Sequence, residues 1–296
     1  MKIAFGMIVF EGDYVLEECL KQVYPFASQI LIAEGPVLYW QRKGRTTSTD
    51  RTNEILDSFP DPDNKIKIIH GQFSEKDEQC NAYIQYLDKD IDYLWNLDSD
   101  EVYKTEDLEK MVHFLEEERP SSVGVRSCTF YGGTDKYLTG FELKADNFKR
   151  IFRITQGSKW LTHRPPTIQY PVGAKVNLKH INSDELYNKT GVQMYHYSYV
   201  FPHQVRNKIQ YYKEAISLDN AIDNYYESVY LPWVLGNDNE KQEVENKFNG
   251  VHEFKPSIRG ECRTEFFKGS HPESIECKLQ SINNKIKEQL DEIPER

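Results

Sequence analysis

Over the first hundred residues the apolar positions switch repeatedly between a strand pattern and a helical one. Residues 2–9 form a β-branched apolar run, and Asp13 then stands as a helix cap ahead of Val15, Leu16, Cys19, Leu20 and Val23, which repeat at helical spacing. Gln29–Glu34 reads as a second strand, and Ser48-Thr49-Asp50 as the cap of a helix carrying Ile55 and Leu56. Lys65–His70 alternates as a third strand, and Ser74 with Asp77 resembles a capping box opening a helix through Tyr83, Ile84 and Leu87. Ile91–Leu97 is the fourth strand. Strands alternating with helices predict an α/β fold, with a parallel sheet covered on both faces. Ligands of such sheets bind beyond the carboxyl ends of the strands, where Glu34, Asp98 and Asp100 all fall.

Beyond Thr105 the acidic first turn of EDLEKMVHFLEEE predicts another helix, ending before Pro120. Ser122–Tyr131, Lys149–Thr155 and Gln193–Val200 read as further strands, with the Pro-rich HRPPT segment in a loop. A helix is expected from about His203 to Leu218, and another over the tail from Glu273 to Leu290, where Ile275, Leu279, Ile282 and Ile286 hold helical spacing. The pattern over 219–272 is the least informative.

Charge narrows the function. A net charge of −10 and a pI near 5.4 argue against general nucleic-acid binding, which needs clustered Lys and Arg. An anionic substrate must then be held by a metal or by local basic groups. No apolar run approaches the roughly 20 residues that cross a bilayer, and MKIAFGMIVF lacks the features of a signal peptide, so a cytoplasmic location is expected. The five cysteines are scattered without a CxxC pair, which suggests neither a zinc site nor a disulfide framework. The 19 tyrosines, many in the second half, offer stacking faces with polar tips, as sugar recognition and core packing both require.

The chemistry concentrates at Tyr93-Leu94-Trp95-Asn96-Leu97-Asp98-Ser99-Asp100-Glu101, an apolar strand stopping at two aspartates one residue apart. Alternation points Asp98 and Asp100 the same way. Their Cα atoms would lie roughly 6.6 Å apart on a straight strand. Carboxylates bind Mg²⁺ or Ca²⁺ at about 2.0–2.6 Å, so both reach one ion only where the chain turns. Glu101 reads as a supporting or surface residue.

The blocks MIVFEGDYVLEECLKQVYPFASQILIAEG, STDRTNEIL and LWNLDSDE, in that order, resemble the metal-dependent family-two glycosyltransferases. A looser likeness continues through NFKRIFR, KWLTHRPP and MYHYSYV. The resemblance implies the GT-A fold, a Rossmann-like nucleotide-binding sheet flanked by helices. Residues 1–105 would then be the half that binds the nucleotide sugar, 106–218 the acceptor-side half and 219–296 a mostly helical extension. It further implies that Glu34 contacts the base or ribose of the donor, that Asp98 and Asp100 contact its ribose and a bridging Mn²⁺ or Mg²⁺, and that transfer inverts the anomeric carbon. This fold often recruits a histidine from its later half, which makes His196 a candidate metal ligand. His163 is a candidate contact to phosphate or acceptor, and Lys76 or Arg153 to phosphate.

The chain departs from the family in two places. EGPVLYWQRKGRTT separates Glu34 from Ser48-Thr49-Asp50, and Arg164-Pro165-Pro166 follows His163 where relatives often carry a carboxylate. The catalytic base is thereby unassigned; Asp135, Glu142 and Asp146 are the carboxylate candidates on the acceptor side. Tyr137, Trp160 and Tyr170 can stack on a sugar ring or fill a core, and His252 and His271 read as structural. The expected partners are a nucleoside diphosphate sugar and a glycan, lipid-linked or protein acceptor. Two rivals are a nucleotidyltransferase, which the acidic Phe10-Glu11-Gly12-Asp13 loop disfavours, and a non-catalytic carbohydrate-binding or scaffold protein.

Overall fold

In the computed structural model, residues 1–139, 148–216, 222–251 and 262–293 are described. The chain divides into two compact units: Met1–Arg126 with Ala145–Met194, and Ser127–Lys144 with Tyr195–Arg296.

The first unit realises the alternation of the opening hundred residues. Strands β1 (Ile3–Val9), β2 (Gln29–Glu34), β3 (Ile66–His70) and β4 (Tyr93–Leu97) are joined through helices α1 (Leu16–Val23), α2 (Leu38–Gln41), α3 (Thr52–Ser58) and α4 (Lys76–Ile84). β1 pairs in parallel with β2 on one side and with β4 on the other, and β2 pairs in parallel with β3. The run IAFGMIV of β1 and YLWNL of β4 are apolar because both faces are covered, whereas β3 at the sheet edge is only half-buried. A short β5 (Glu101–Val102) and α5 (Thr105–Glu118) follow β4.

Beyond β4 the sheet turns mixed. β9 (Lys149–Arg153) runs antiparallel to both β4 and β6 (Ser122–Gly124), and β12 (His180–Ile181) pairs with β6, giving the order β12-β6-β9-β4-β1-β2-β3. A hairpin of β10 (Lys159–Thr162) and β11 (Thr167–Gln169), and helix α6 (Ser183–Thr190), complete the unit.

The second unit contains β7 (Arg126–Tyr131), β8 (Lys136–Leu138), β13 (Gln193–Tyr199) and β14 (Thr264–Phe266), consecutive in the order β14-β8-β7-β13. Its helices are α7 (Pro202–Glu214), α8 (Leu231–Leu235), α9 (Asp238–Lys247), α10 (Glu273–Glu276) and α11 (Leu279–Asp291). The tyrosines fill its core. Phe130 stacks on Tyr197 at 4.8 Å between ring centroids, and Tyr131 packs on Tyr199 and Trp233. His271 accepts or donates at 2.8 Å to the Tyr197 hydroxyl and packs on Phe130, the structural role read for it.

The structure corrects several local expectations. Ser122–Tyr131 is two strands in different sheets, β6 and β7, since alternation alone does not say which sheet a strand joins. Asp13 does not cap α1, whose first turn lacks a side-chain cap; the Asp13 carboxylate accepts instead from the Arg51 backbone. The Ser74–Asp77 capping box does not form, because Glu78 takes the Ser74 donors and Asp77 accepts the His163 N–H. The tail helix is broken at Cys277-Lys278, and α7 ends at Glu214. All five cysteines are free thiols, with only Cys277 exposed. No helix among the described residues is long and apolar enough to cross a membrane.

Candidate active site

β1 sends its two parallel neighbours off in opposite directions, so the carboxyl ends of β1 and β4 flank a topological switch point, where α/β sheets bind ligands. The two strand ends approach closely: a Cβ on Gly12 would lie 2.8 Å from the Ser99 hydroxyl oxygen. The Ser48–Thr52 segment is stitched to the loop after β1. Glu11 N–H donates to Ser48 Oγ (2.9 Å), Gly12 N–H to Thr52 Oγ1 (2.8 Å) and Asp13 N–H to Asp50 Oδ2 (3.1 Å). Glu11 Oε1 returns the contact by accepting from Thr49 N–H at 2.9 Å and pairing with Arg45 at 3.1 Å. The acidic loop is thus held by protein donors.

Glu34 ends β2 with 1% of its surface exposed. Its Oε1 accepts from the Ser48 hydroxyl (2.7 Å) and N–H (3.2 Å), and its Oε2 lies 3.1 Å from Nδ1 of His70, its register partner at the end of β3. The inserted segment between Glu34 and Ser48 therefore folds back and returns the Ser-Thr-Asp block to the strand end.

Asp98 and Asp100 leave β4 at the same edge, Asp100 buried and Asp98 half-buried. Because β9 runs antiparallel to β4, with Ile151 opposite Trp95, Arg150 lies near the carboxyl end of β4. Its Nη2 donates to Asp98 Oδ2 at 2.9 Å and to Glu101 Oε1, and Glu101 Oε2 accepts from the Asp98 N–H at 3.2 Å. Glu101 is fully buried, which corrects its reading as a possible surface residue. Burial opposes ionisation of Asp98, yet Arg150, reinforced by Arg164 and Lys76, holds its carboxyl well below the usual range. Burial pushes Glu101 upward against the pull of Arg150, and the Asp98 charge adds to the rise. The sequence alone did not single out Arg150; an arginine beside the apolar pair Ile151-Phe152 of the strand KRIFR was the available signal.

His163 sits at the turn of the β10–β11 hairpin, buried, with Nδ1 3.7 Å from the Cys80 thiol of α4. Burial and nearby Lys76 push its imidazole down to about 3, so at neutral pH it is an uncharged side chain. Trp160 packs in the core against Phe152, and the Tyr170 hydroxyl donates to the Arg153 carbonyl.

The first unit thus carries Glu34, Asp98 and Asp100 at the carboxyl ends of one sheet, with His163 close enough to feel the charge of Asp98. Two other candidates belong to the second unit: His196, buried on β13, and Asp135, exposed in the turn between β7 and β8. Glu142, Asp146 and His252 lie outside the described residues.

The site is thus a mixed α/β sheet flanked by helices, with paired aspartates at its switch point. The likeness read from the sequence is borne out: residues 46–168 match the family model described as Glycosyl transferase family 2. That segment contains Ser48, Asp98, Asp100, Arg150 and His163. Among solved structures, the chain is similar to S. aureus TarS: residues 1–349 in complex with UDP-GlcNAc at 12% identity, with 98% of this chain and 89% of that one covered and a TM-score of 0.39. The UDP complex of the same fragment matches at 14% identity, covering 84% and 79%, with a TM-score of 0.39. Against another TarS structure the identity is 13% and the TM-score 0.38, with 79% of this chain covered and only 43% of that one spanned. No curated protein matches the chain in sequence.

Proposed function

We propose that the chain is a divalent-metal-dependent glycosyltransferase. It moves a sugar from a nucleoside diphosphate donor to a hydroxyl of a glycan, lipid-linked or protein acceptor, with inversion at the anomeric carbon. The observation that carries this reading is the convergence of buried Glu34 with Asp98 and Asp100 at the carboxyl ends of one parallel sheet, within a segment matching the family.

Among the described residues no three His, Cys, Asp or Glu side chains group into a metal site. Two carboxylates, with the remaining positions left to diphosphate oxygens and water, suit Mg²⁺ or Mn²⁺, which prefer hard oxygen donors and share phosphates with their substrates. The residues present therefore fit such an ion. When bound, it supplies charge stabilisation for the departing diphosphate. The chain's own groups do the rest. Glu34 accepts a hydrogen bond from the base or ribose, and Asp98 turns the carboxylate oxygen not held by Arg150 toward the donor. Lys76 and Arg164, whose charge reaches Asp98, add positive potential beside the diphosphate. Asp135, Glu142 and Asp146 are the candidates to take the acceptor's proton.

Thermal stabilisation tests the donor site. A ligand at about 100 times its Kd adds roughly 2.7 kcal/mol to a fold that alone binds it. One nucleoside diphosphate from a panel of bases is expected to raise the Tm in the presence of Mn²⁺, and to lose that effect in Asp100→Ala. No shift with any nucleotide, with folding confirmed, favours the carbohydrate-binding scaffold instead.

A further inference from the structure

We propose that Arg150 is a positioning residue for Asp98. Shared between Asp98 and buried Glu101, its guanidinium occupies one oxygen of Asp98 as an internal cation, so that Asp98 keeps a single oxygen for the donor and a divalent ion binds firmly only together with the donor diphosphate. This rests on the glycosyltransferase reading for the identity of the diphosphate, but the arrangement itself is a property of this chain.

Three observations support it. Arg150 is 5% exposed and reaches both carboxylates through one nitrogen, Nη2. Glu101, with no exposed surface, has one oxygen on that guanidinium and the other on the Asp98 N–H, so both the side chain and the backbone of Asp98 are tied to the same pair. Arg150 Nε is buried without a hydrogen-bond partner. A desolvated cation that keeps an unsatisfied N–H is costly, and its two carboxylate partners are what offset that cost. The register explains how the pair is built: β9 is antiparallel to β4, which returns residue 150 to the strand end from which Asp98 departs.

A carboxylate oxygen that accepts a charge-assisted hydrogen bond from a buried guanidinium nitrogen is turned toward that nitrogen. The same engagement withholds one oxygen from any ion. Asp100 is then the principal ligand, and phosphate oxygens must complete the shell. Removing Arg150 while neutralising Glu101 takes away one positive and one negative charge together and frees both oxygens of Asp98, so it should strengthen metal binding in the absence of nucleotide.

The test measures Mn²⁺ binding to the purified full chain without nucleotide, by the spin-resonance signal of the free ion. It compares the wild type, the double exchange Glu101→Gln with Arg150→Met, and Arg150→Lys. The double exchange is expected to tighten Mn²⁺ binding by about 10-fold or more, the scale on which partners of ligating carboxylates act. Arg150→Lys keeps the charge and loses the planar guanidinium that carries Nη2 to both carboxylates, and should fall between the two even if the double exchange does not fold. In the folded variants, donor Kd should rise, because Asp98 is no longer held in one orientation. Unchanged Mn²⁺ affinity in either folded variant overturns the proposal. If Mn²⁺ affinity shifts but no nucleotide binds the wild type, the glycosyltransferase reading fails while Arg150's hold on Asp98 stands.

Discussion

At the residue scale, the site is a set of carboxylates whose environments are deliberately unequal. Asp98 is kept ionised by Arg150 against the cost of burial, whereas Glu101, three residues on, is driven upward by burial. Loss of Arg150 alone would leave Glu101 buried without its cation, a defect worth about 3–5 kcal/mol. His163 makes a separate contribution to acid sensitivity. Its folded value, about 3, lies below the unfolded 6.5, so between those values the unfolded chain binds the extra proton. Stability is therefore full above pH 6.5 and falls as pH drops toward 3, at up to about 1.4 kcal/mol per pH unit from this group. Urea unfolding at a series of pH values should show that slope in the wild type and a shallower one in His163→Leu. Equal slopes would mean that His163 carries its proton when folded. A neutral imidazole also cannot act as a fixed positive charge on a phosphate.

At the level of elements, strand ends and the loops leaving them determine what the site can hold. Gly35 follows Glu34 with φ +142, and a Cβ there would stand 1.9 Å from the Gly71 carbonyl oxygen, just beyond His70 on the next strand. Backbone cannot move aside as a flexible side chain can. Gly35→Ala is expected to cost at least about 1–3 kcal/mol and to spread the ends of β2 and β3. Its urea midpoint should fall, and nucleotide affinity with it; a wild-type midpoint would show that the two strand ends are not tightly apposed. The elements most legible in sequence were β1 to β4 and their helices, because each packs against its sequence neighbours and its period reports burial directly. The β10–β11 hairpin was not foreseen. KWLT and TIQ are short and mostly half-exposed, and neither has a marked alternation to read. Ser122–Tyr131 misled for the opposite reason: its alternation continues while the chain passes from one sheet to another.

For the whole molecule, the same contrast separates what could be read from what could not. Asp98 and Asp100 announced themselves because a polar break in a fully buried strand has few structural explanations. Glu34 was legible by the same logic. Arg150 and Glu101 were not, since their pairing depends on the antiparallel return of a strand 49 residues away, which no local pattern encodes. The second unit's function was the hardest to read, for its tyrosines and His271 build an aromatic core whose composition resembles that of a sugar-binding surface. The account's central claim, metal-assisted transfer from a nucleotide sugar, is tested most directly by turnover. Each nucleotide sugar of a panel should be incubated with the full chain and Mn²⁺, and the released nucleoside diphosphate quantified. One donor is expected to give release that chelation abolishes and that Asp100→Ala lowers by about 100-fold or more while remaining folded, the scale of a lost electrostatic stabiliser. Undiminished release in folded Asp100→Ala, or release of pyrophosphate from a nucleoside triphosphate and a sugar phosphate, would contradict it.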